Sequence, residues 1–287
     1  VSNRPNQLIE AEELARLLEA GEDVRVLDVR WQLGNPHTHD DYLAGHVPGA
    51  LFVDLETELS DPPTPRLGRH PLPSAERLQA AVTRWGIDDG TEIVVLDAVG
   101  ATAAARAWWV LRDAGLERVR VLDGGFPAWQ AAGLPVEAGE VDPPGGGTAR
   151  VRPGALARVS LDEVAGVPRS GVLLDVRAAE RYRGEVEPID PRAGHVPGAR
   201  SAPTGENLDE RGRFRSAAEL RERFESLGVE PDRPIVAYCG SGVTAAHTVL
   251  ALELAGFDPA LYPGSWSQWS NRDELPVAIG DAPGDPA

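Results

Sequence analysis

The chain has one cysteine, Cys239, in 287 residues. A single thiol excludes an internal disulfide, so the fold does not depend on an oxidising compartment. With the histidines scattered, it also leaves no cluster with metal-ligand spacing. There is no lysine, and all 28 basic residues are arginine. This fits codon usage in a GC-rich genome. It also means that any anion bound here is held by arginine, histidine or backbone N–H groups. The formal charge of −17 argues against nucleic acid or an anionic membrane as partner. No apolar run approaches the roughly 20 residues needed to span a bilayer. The opening Val-Ser-Asn-Arg-Pro-Asn-Gln lacks the apolar core of a signal peptide. The expectation is a cytoplasmic enzyme. Apolar content of 42% is ordinary for a globular protein, and the length suits two domains.

What is present is a repeat. Leu27-Asp-Val-Arg30 recurs as Leu174-Asp-Val-Arg177. Gly45-His-Val-Pro-Gly-Ala50 recurs unchanged as Gly194-His-Val-Pro-Gly-Ala199. Ile93-Val-Val-Leu-Asp-Ala-Val-Gly-Ala-Thr-Ala-Ala104 matches Ile235-Val-Ala-Tyr-Cys-Gly-Ser-Gly-Val-Thr-Ala-Ala246. Gly124-Gly-Phe-Pro-Ala-Trp129 parallels Gly264-Ser-Trp-Ser-Gln-Trp269, and Leu134-Pro-Val136 parallels Leu275-Pro-Val277. Matches in the same order at a spacing of about 140 residues indicate a duplicated domain, not a solenoid. The expected organisation is a first domain over 1–137, a Pro/Gly-rich linker over 138–150 and a second domain over 151–287, with Ala278–Ala287 as a tail.

Within the first half, Val24–Val29, Ile93–Leu96 and Val119–Leu122 read as buried strands. Ala11–Ala20, Ala75–Trp85 and Ala101–Ala114 read as helices. This alternation predicts an α/β fold in each half, with a mostly parallel sheet flanked by helices. Ligands in such sheets sit beyond the carboxyl ends of the strands, where Cys239 falls.

Cys239 ends an apolar run, and Gly240-Ser-Gly-Val-Thr244 leads into a helix-forming stretch. Unpaired N–H groups and the helix dipole favour an anion at such a sulfur. The aligned residue in the first half is Asp97, which cannot serve as a thiolate. Only the second half therefore carries a nucleophile. A cysteine phosphatase needs Cys-x5-Arg, and the residue six after Cys239 is Ala245. A serine hydrolase elbow needs Gly-x-Ser-x-Gly, but Cys239 and Val243 flank Ser241 at those positions. No phosphate-loop or dinucleotide fingerprint occurs.

The duplication, the Asp-Val-Arg strand ends, the Gly-His-Val-Pro-Gly-Ala segments and the Cys239 loop together resemble the two-domain rhodanese-like sulfurtransferases. The resemblance covers roughly residues 8–277. It implies two tandem rhodanese-like domains, the first inactive, and a Cys239 persulfide that carries sulfur from donor to acceptor. No cofactor or metal is implied. Cys239-Gly-Ser-Gly-Val-Thr244 resembles the 3-mercaptopyruvate version of the loop; the thiosulfate version carries two basic residues where Gly240 and Ser241 stand. Thiosulfate:cyanide transfer and a low-turnover persulfide relay are the alternatives.

The resemblance also implies roles residue by residue. The amides of Gly240, Gly242, Val243 and Thr244 would hold the persulfide. Arg181 would clamp the donor's acidic group, with Arg192 as second clamp and Arg183 as its competitor. Ser241, His70 and Glu56 would form a proton relay reaching across the two domains, Glu56 standing where the family pattern has Asp. The expected partners are a small anionic donor and a thiol acceptor such as thioredoxin, or cyanide; a duplicated chain can work as a monomer. His46 and His195 occur in both halves and read as structural, as do Asp28 and Asp175. Trp266 and Trp269 read as core.

Overall fold

The computed structural model describes residues 7–286. Two compact units emerge. The first contains the residues up to Asp61, Leu72–Ala155 and Glu210–Arg213; the second contains Pro62–Pro71, Leu156–Asp209 and the residues from Phe214 onward. The short segment Pro62–Pro71, which carries His70, thus packs with the second unit although it lies within the first repeat.

The first unit holds a parallel sheet of β1 (Leu8–Ile9), β2 (Val24–Asp28), β3 (Leu51–Phe52), β4 (Glu92–Leu96) and β5 (Val119–Leu122), in the order β1-β5-β4-β2-β3. The second holds β6 (Val172–Asp175), β7 (Arg200–Ser201), β8 (Ile235–Tyr238) and β9 (Pro259–Leu261), also parallel, in the order β7-β6-β8-β9. The central pairs match in register: Asp28 lies opposite Leu96, and Asp175 opposite Tyr238. These strands are buried on both faces, which is why they read as continuous apolar runs rather than alternating ones. A single bridge from Arg158 to Leu261 stands in the second unit where β1 stands in the first.

Each central strand leads into a twelve-residue helix, Thr102–Asp113 after β4 and Val243–Leu254 after β8. Both helices are buried nearly all round, as their lack of a polar face requires. Their N-termini point back to the strand ends. Burying each Val or Leu of these elements stabilises by roughly 1.5–3 kcal/mol. The second core closes over Trp266 and Trp269, together with Val236, Tyr238 and Tyr262.

Two segments that read as loose are tied down. In the Pro/Gly-rich stretch, Gly145 N donates to Arg84 O, Gly147 N to Thr83 O and Ala149 N to Ile87 O, so the stretch lies along the first unit. In the tail, Ala278 pairs with His195 through both backbone groups, and Gly280 N donates to Arg183 O. The counterpart in the first half is the His46–Glu137 bridge. Backbone pairing of this kind needs no side-chain pattern, so composition alone does not reveal it.

Candidate active site

Cys239 follows the last residue of β8, is 1% exposed, and begins the turn into the helix Val243–Leu254. Gly242 N–H donates to its Sγ at 3.1 Å. Gly242 has φ +83°, and a Cβ there would stand 2.4 Å from Pro263 O, so the turn requires glycine. Ser265 Oγ accepts from Cys239 N at 3.1 Å, while Trp266 N donates to Cys239 O at 2.9 Å. The helix's first amides have no intrahelical carbonyl and face the loop. Gly240, Val243 and Thr244 lie in this turn or the first helical turn, as expected.

The first unit has the same turn with a different occupant. Asp97 Oδ1 accepts from Val99 N and Ala101 N, both at 2.9 Å, and Oδ2 accepts from Ala103 N at 2.8 Å and Ala104 N at 3.0 Å. Burial pushes the Asp97 carboxyl up, and the four amide donors pull against that rise. Asp97 thus has both carboxyl oxygens seated in a ring of backbone N–H groups. Gly125, beside it, has φ +58° and comes so close that a Cβ would stand 2.3 Å from Asp97 O.

Ser241 and His70 meet in the second unit: His70 Nδ1 and Ser241 Oγ share a hydrogen bond of 2.7 Å. Both are buried. The segment carrying His70 is bolted to the helix Ser265–Trp269, since Ser267 Oγ accepts from Arg69 N at 3.1 Å and Gln268 Nε2 donates to Arg66 O at 2.8 Å. Glu56 belongs to the first unit, where its Oε1 accepts from Trp31 Nε1 at 2.8 Å.

The arginines divide. The guanidinium nitrogens of Arg181 and Arg69 lie over the loop: Arg69 Nη2 and Arg181 Nη1 are 2.9 and 3.4 Å from where a Gly240 Cβ would stand. Arg181 Nη2 donates to Glu187 Oε1 at 2.6 Å, and Arg69 Nη1 donates to Asp190 Oδ1. Arg177 Nη1 reaches the other Glu187 oxygen at 3.3 Å. Burial pushes the Asp190 carboxyl above the ordinary carboxylate range, against the pull of Arg69.

Arg192 is elsewhere. Its fork donates to four carbonyls, those of Ser270, Leu275, Trp269 and Arg272, at 2.6–3.0 Å. It caps the end of the helix Ser265–Trp269 and the turn beyond, with four of its five N–H donors committed there. Arg183 pairs with Glu185 through Nε and Nη2, both at 2.8 Å. Arg69, Glu187 and Asp190 are the site residues that sequence reasoning missed. The only signal for Arg69 was its position beside His70; nothing in the spacing tied it to Asp190.

The repeated motif residues build scaffold in both halves. Arg30 Nε donates to Asp28 Oδ1 at 2.7 Å, and Arg177 Nη2 donates to Asp175 Oδ2 at 2.6 Å. Each arginine also holds the carbonyl before its histidine, Gly45 O at 2.8 Å and Gly194 O at 2.6 Å. Each lies over an aromatic ring, Phe126 or Trp266. His46 Nδ1 and His195 Nδ1 each bond the carbonyl of the tyrosine on which the ring stacks, Tyr42 or Tyr182. Trp266 and Trp269 are fully buried, with indole N–H groups on Arg192 O and Pro276 O. Among the described residues no group of His, Cys, Asp and Glu could hold a metal ion, and no helix is long and apolar enough to cross a membrane.

The chain is similar to known proteins. The family model of the rhodanese-like domain matches twice, over residues 10–132 and 160–272. A Mycobacterium tuberculosis protein provisionally named thiosulfate sulfurtransferase SseB is 46% identical over 281 residues, covering 97% of this chain and 99% of the relative. The Escherichia coli K12 3-mercaptopyruvate sulfurtransferase is 37% identical, covering 89% of this chain and 92% of the relative. The crystal structure of SseA from Escherichia coli, a 3-mercaptopyruvate sulfotransferase of the rhodanese fold, matches with TM-score 0.81 and 34% identity over 91% of this chain and 99% of that one. With two domain matches spanning most of its length, and an α/β parallel sheet in each half, this chain belongs to the rhodanese-like domain family.

Proposed function

We propose that the protein is a sulfurtransferase that moves a sulfane sulfur from 3-mercaptopyruvate, or from thiosulfate, to a thiophilic acceptor through a persulfide on Cys239. The observation that carries this reading is the pair of matching turns. Asp97 supports it, since its carboxyl oxygens sit on four backbone amides of the turn. In the second turn the same frame surrounds a thiol, so the anion it suits is the terminal sulfur of a persulfide.

The reaction runs in two halves. The Cys239 thiolate attacks the donor's outer sulfur and an S–S bond forms. With mercaptopyruvate the C–S bond breaks, its electron pair enters an enolate, and protonation gives pyruvate. With thiosulfate the S–S bond of the donor breaks and sulfite leaves with the pair. In the second half a thiol or cyanide attacks the outer sulfur, and the Cys239 thiolate leaves. Arg181 is the clamp for the donor's acidic group, because its fork lies over Gly240. Gly240, Gly242, Val243 and Thr244 contribute backbone to the anion cradle.

Ser241 and His70, already sharing a 2.7 Å hydrogen bond, are the groups for returning a proton to the enolate. Arg192 has a structural role instead, holding four carbonyls. The relatives carry names for both donors; the Ser241–His70 pair favours mercaptopyruvate, since sulfite needs no such proton. Work in the cytoplasm as a monomer, with thioredoxin or another small thiol as acceptor, is the setting this reading favours.

Steady-state turnover with each donor tests it. Ser241→Ala should lower mercaptopyruvate turnover by about tenfold to a hundredfold, the usual worth of a general acid–base group, and leave thiosulfate turnover within about twofold. Equal loss with both donors would remove the relay. Negligible turnover of the native chain with either donor would leave only a persulfide-relay role.

A further inference from the structure

Asp190 is paired with Arg69, whose other Nη atom lies over the loop that carries Cys239. Its side chain is 3% exposed. Its Oδ1 accepts from Arg69 Nη1, and its Oδ2 lies 3.5 Å from Arg181 Nη2 without forming a hydrogen bond. Glu187, equally buried, accepts from that same Arg181 Nη2 at 2.6 Å. Glu187 is held in turn by Arg177 at 3.3 Å and by the amides of Ile189 and Asp190. Arg69 Nε and Arg181 Nε are buried without hydrogen-bond partners. The remaining Nη atoms, Arg69 Nη2 and Arg181 Nη1, lie over Gly240. Two guanidinium groups therefore cover the thiol loop, each paired behind it with a buried carboxylate.

The two carboxylates differ in how firmly they are held. Glu187 has two arginines and two backbone amides. Asp190 has one charged hydrogen bond, to Arg69, and one oxygen with none. Asp190 is the partner that an incoming anion can replace.

We propose that donor binding is an exchange of ion-pair partners, in which the donor's acidic group takes over Arg69 from Asp190, so that Asp190 is a specificity-determining residue for the donor. This rests on the reading that Cys239 takes sulfur from an anionic donor. After the exchange, Asp190 and Glu187 remain buried a few ångströms from the new anion. Each extra negative charge on the donor is repelled by both in a site poorly screened by water. The site thereby favours a singly charged thiol carboxylate over doubly charged thiosulfate. Loss of the basic residues that follow the cysteine in thiosulfate-preferring loops points the same way; Gly240 and Ser241 stand there instead.

The test uses the full chain and two donors, 3-mercaptopyruvate and thiosulfate. Asp190→Asn removes the charge and keeps the shape. It should lower the KM for thiosulfate by about fivefold or more, and shift that KM at least about threefold further than the KM for mercaptopyruvate. Asp190→Glu should restore the native ratio. Arg69→Ala should raise both KM values by about tenfold, the cost of one charge-assisted hydrogen bond, with a smaller change in kcat. If Asp190→Asn fails to fold, Arg69→Ala reads the same exchange. Unchanged KM values in both variants, or equal shifts for the two donors in Asp190→Asn, overturn the proposal. Whole-protein mass separates the two levels of failure. A native chain that gains one sulfur while KM ignores Asp190 and Arg69 defeats the exchange alone. A native chain that gains none with either donor defeats the sulfur-transfer reading and the exchange with it.

Discussion

Asp97 and Cys239 stand at the same place in two copies of one turn, each 1% exposed and each at the mouth of a twelve-residue helix. Asp97 has its two oxygens filled by four amides; Cys239 Sγ has one, from Gly242. The turn's donors exist because a helix must begin there, and helix-end amides need an acceptor. One copy meets that need with its own carboxylate and is chemically closed. The other leaves it partly unmet, which is what an attached second sulfur requires. Loss of the nucleophile in the first half therefore did not require loss of the cradle.

The comparison can be broken by exchanging what fills each turn. Asp97→Asn keeps the shape but faces some of the four N–H donors with an NH2 group. It should destabilise the protein by about 2–4 kcal/mol, as expected for a buried charge-assisted network losing acceptors. Cys239→Ser should change stability by no more than about 1 kcal/mol, because a single weak hydrogen bond is at stake. Urea unfolding of both variants measures the difference; equal losses would mean that the two turns are held alike.

A pH-dependent effect comes from the helices behind the turns. His247 lies on the second helix where the first has Ala105. Burial pulls its imidazole down from 6.5 to about 3, and the nearby Arg223 adds to that. Its Nδ1 bonds Thr204 Oγ1 at 2.8 Å, and its ring stacks on Phe214. A folded-state value below the unfolded one means that stability is fully present above pH 6.5. It is lost as pH falls from 6.5 towards 3, by about 1.4 kcal/mol per pH unit from this group. His247→Gln should flatten the melting temperature over that range. An unaltered acid slope would show that other groups set it.

Much of this was legible in the sequence because the duplication acts as an internal control. A feature present in both halves, such as His46 and His195, reads as scaffold; one present in a single half, such as Cys239, is a candidate for function. The buried strands were legible from their Val-rich runs. The edge strands β1, β3 and β7 were not, because two residues carry no period. The turn around Cys239 was legible from its glycines. Of the two arginines over the Gly240 loop, only Arg181 was legible. Arg69 reaches the loop from a segment that packs with the second unit, far from Asp190 in sequence, while Arg192, which stands just before Gly194-His195, turns its fork to four carbonyls. Side-chain direction decides between these arginines, and sequence spacing does not carry direction.

The central claim is that the second turn seats a sulfur anion on Cys239 as the first seats the Asp97 carboxylate. The most direct measurement is the mass of the peptide containing Cys239 after brief exposure of the full chain to 3-mercaptopyruvate or thiosulfate without acceptor. The account predicts a gain of one sulfur atom on that peptide, lost when a thiol or cyanide is added. A peptide of unchanged mass with both donors, from protein that still transfers sulfur, would contradict it.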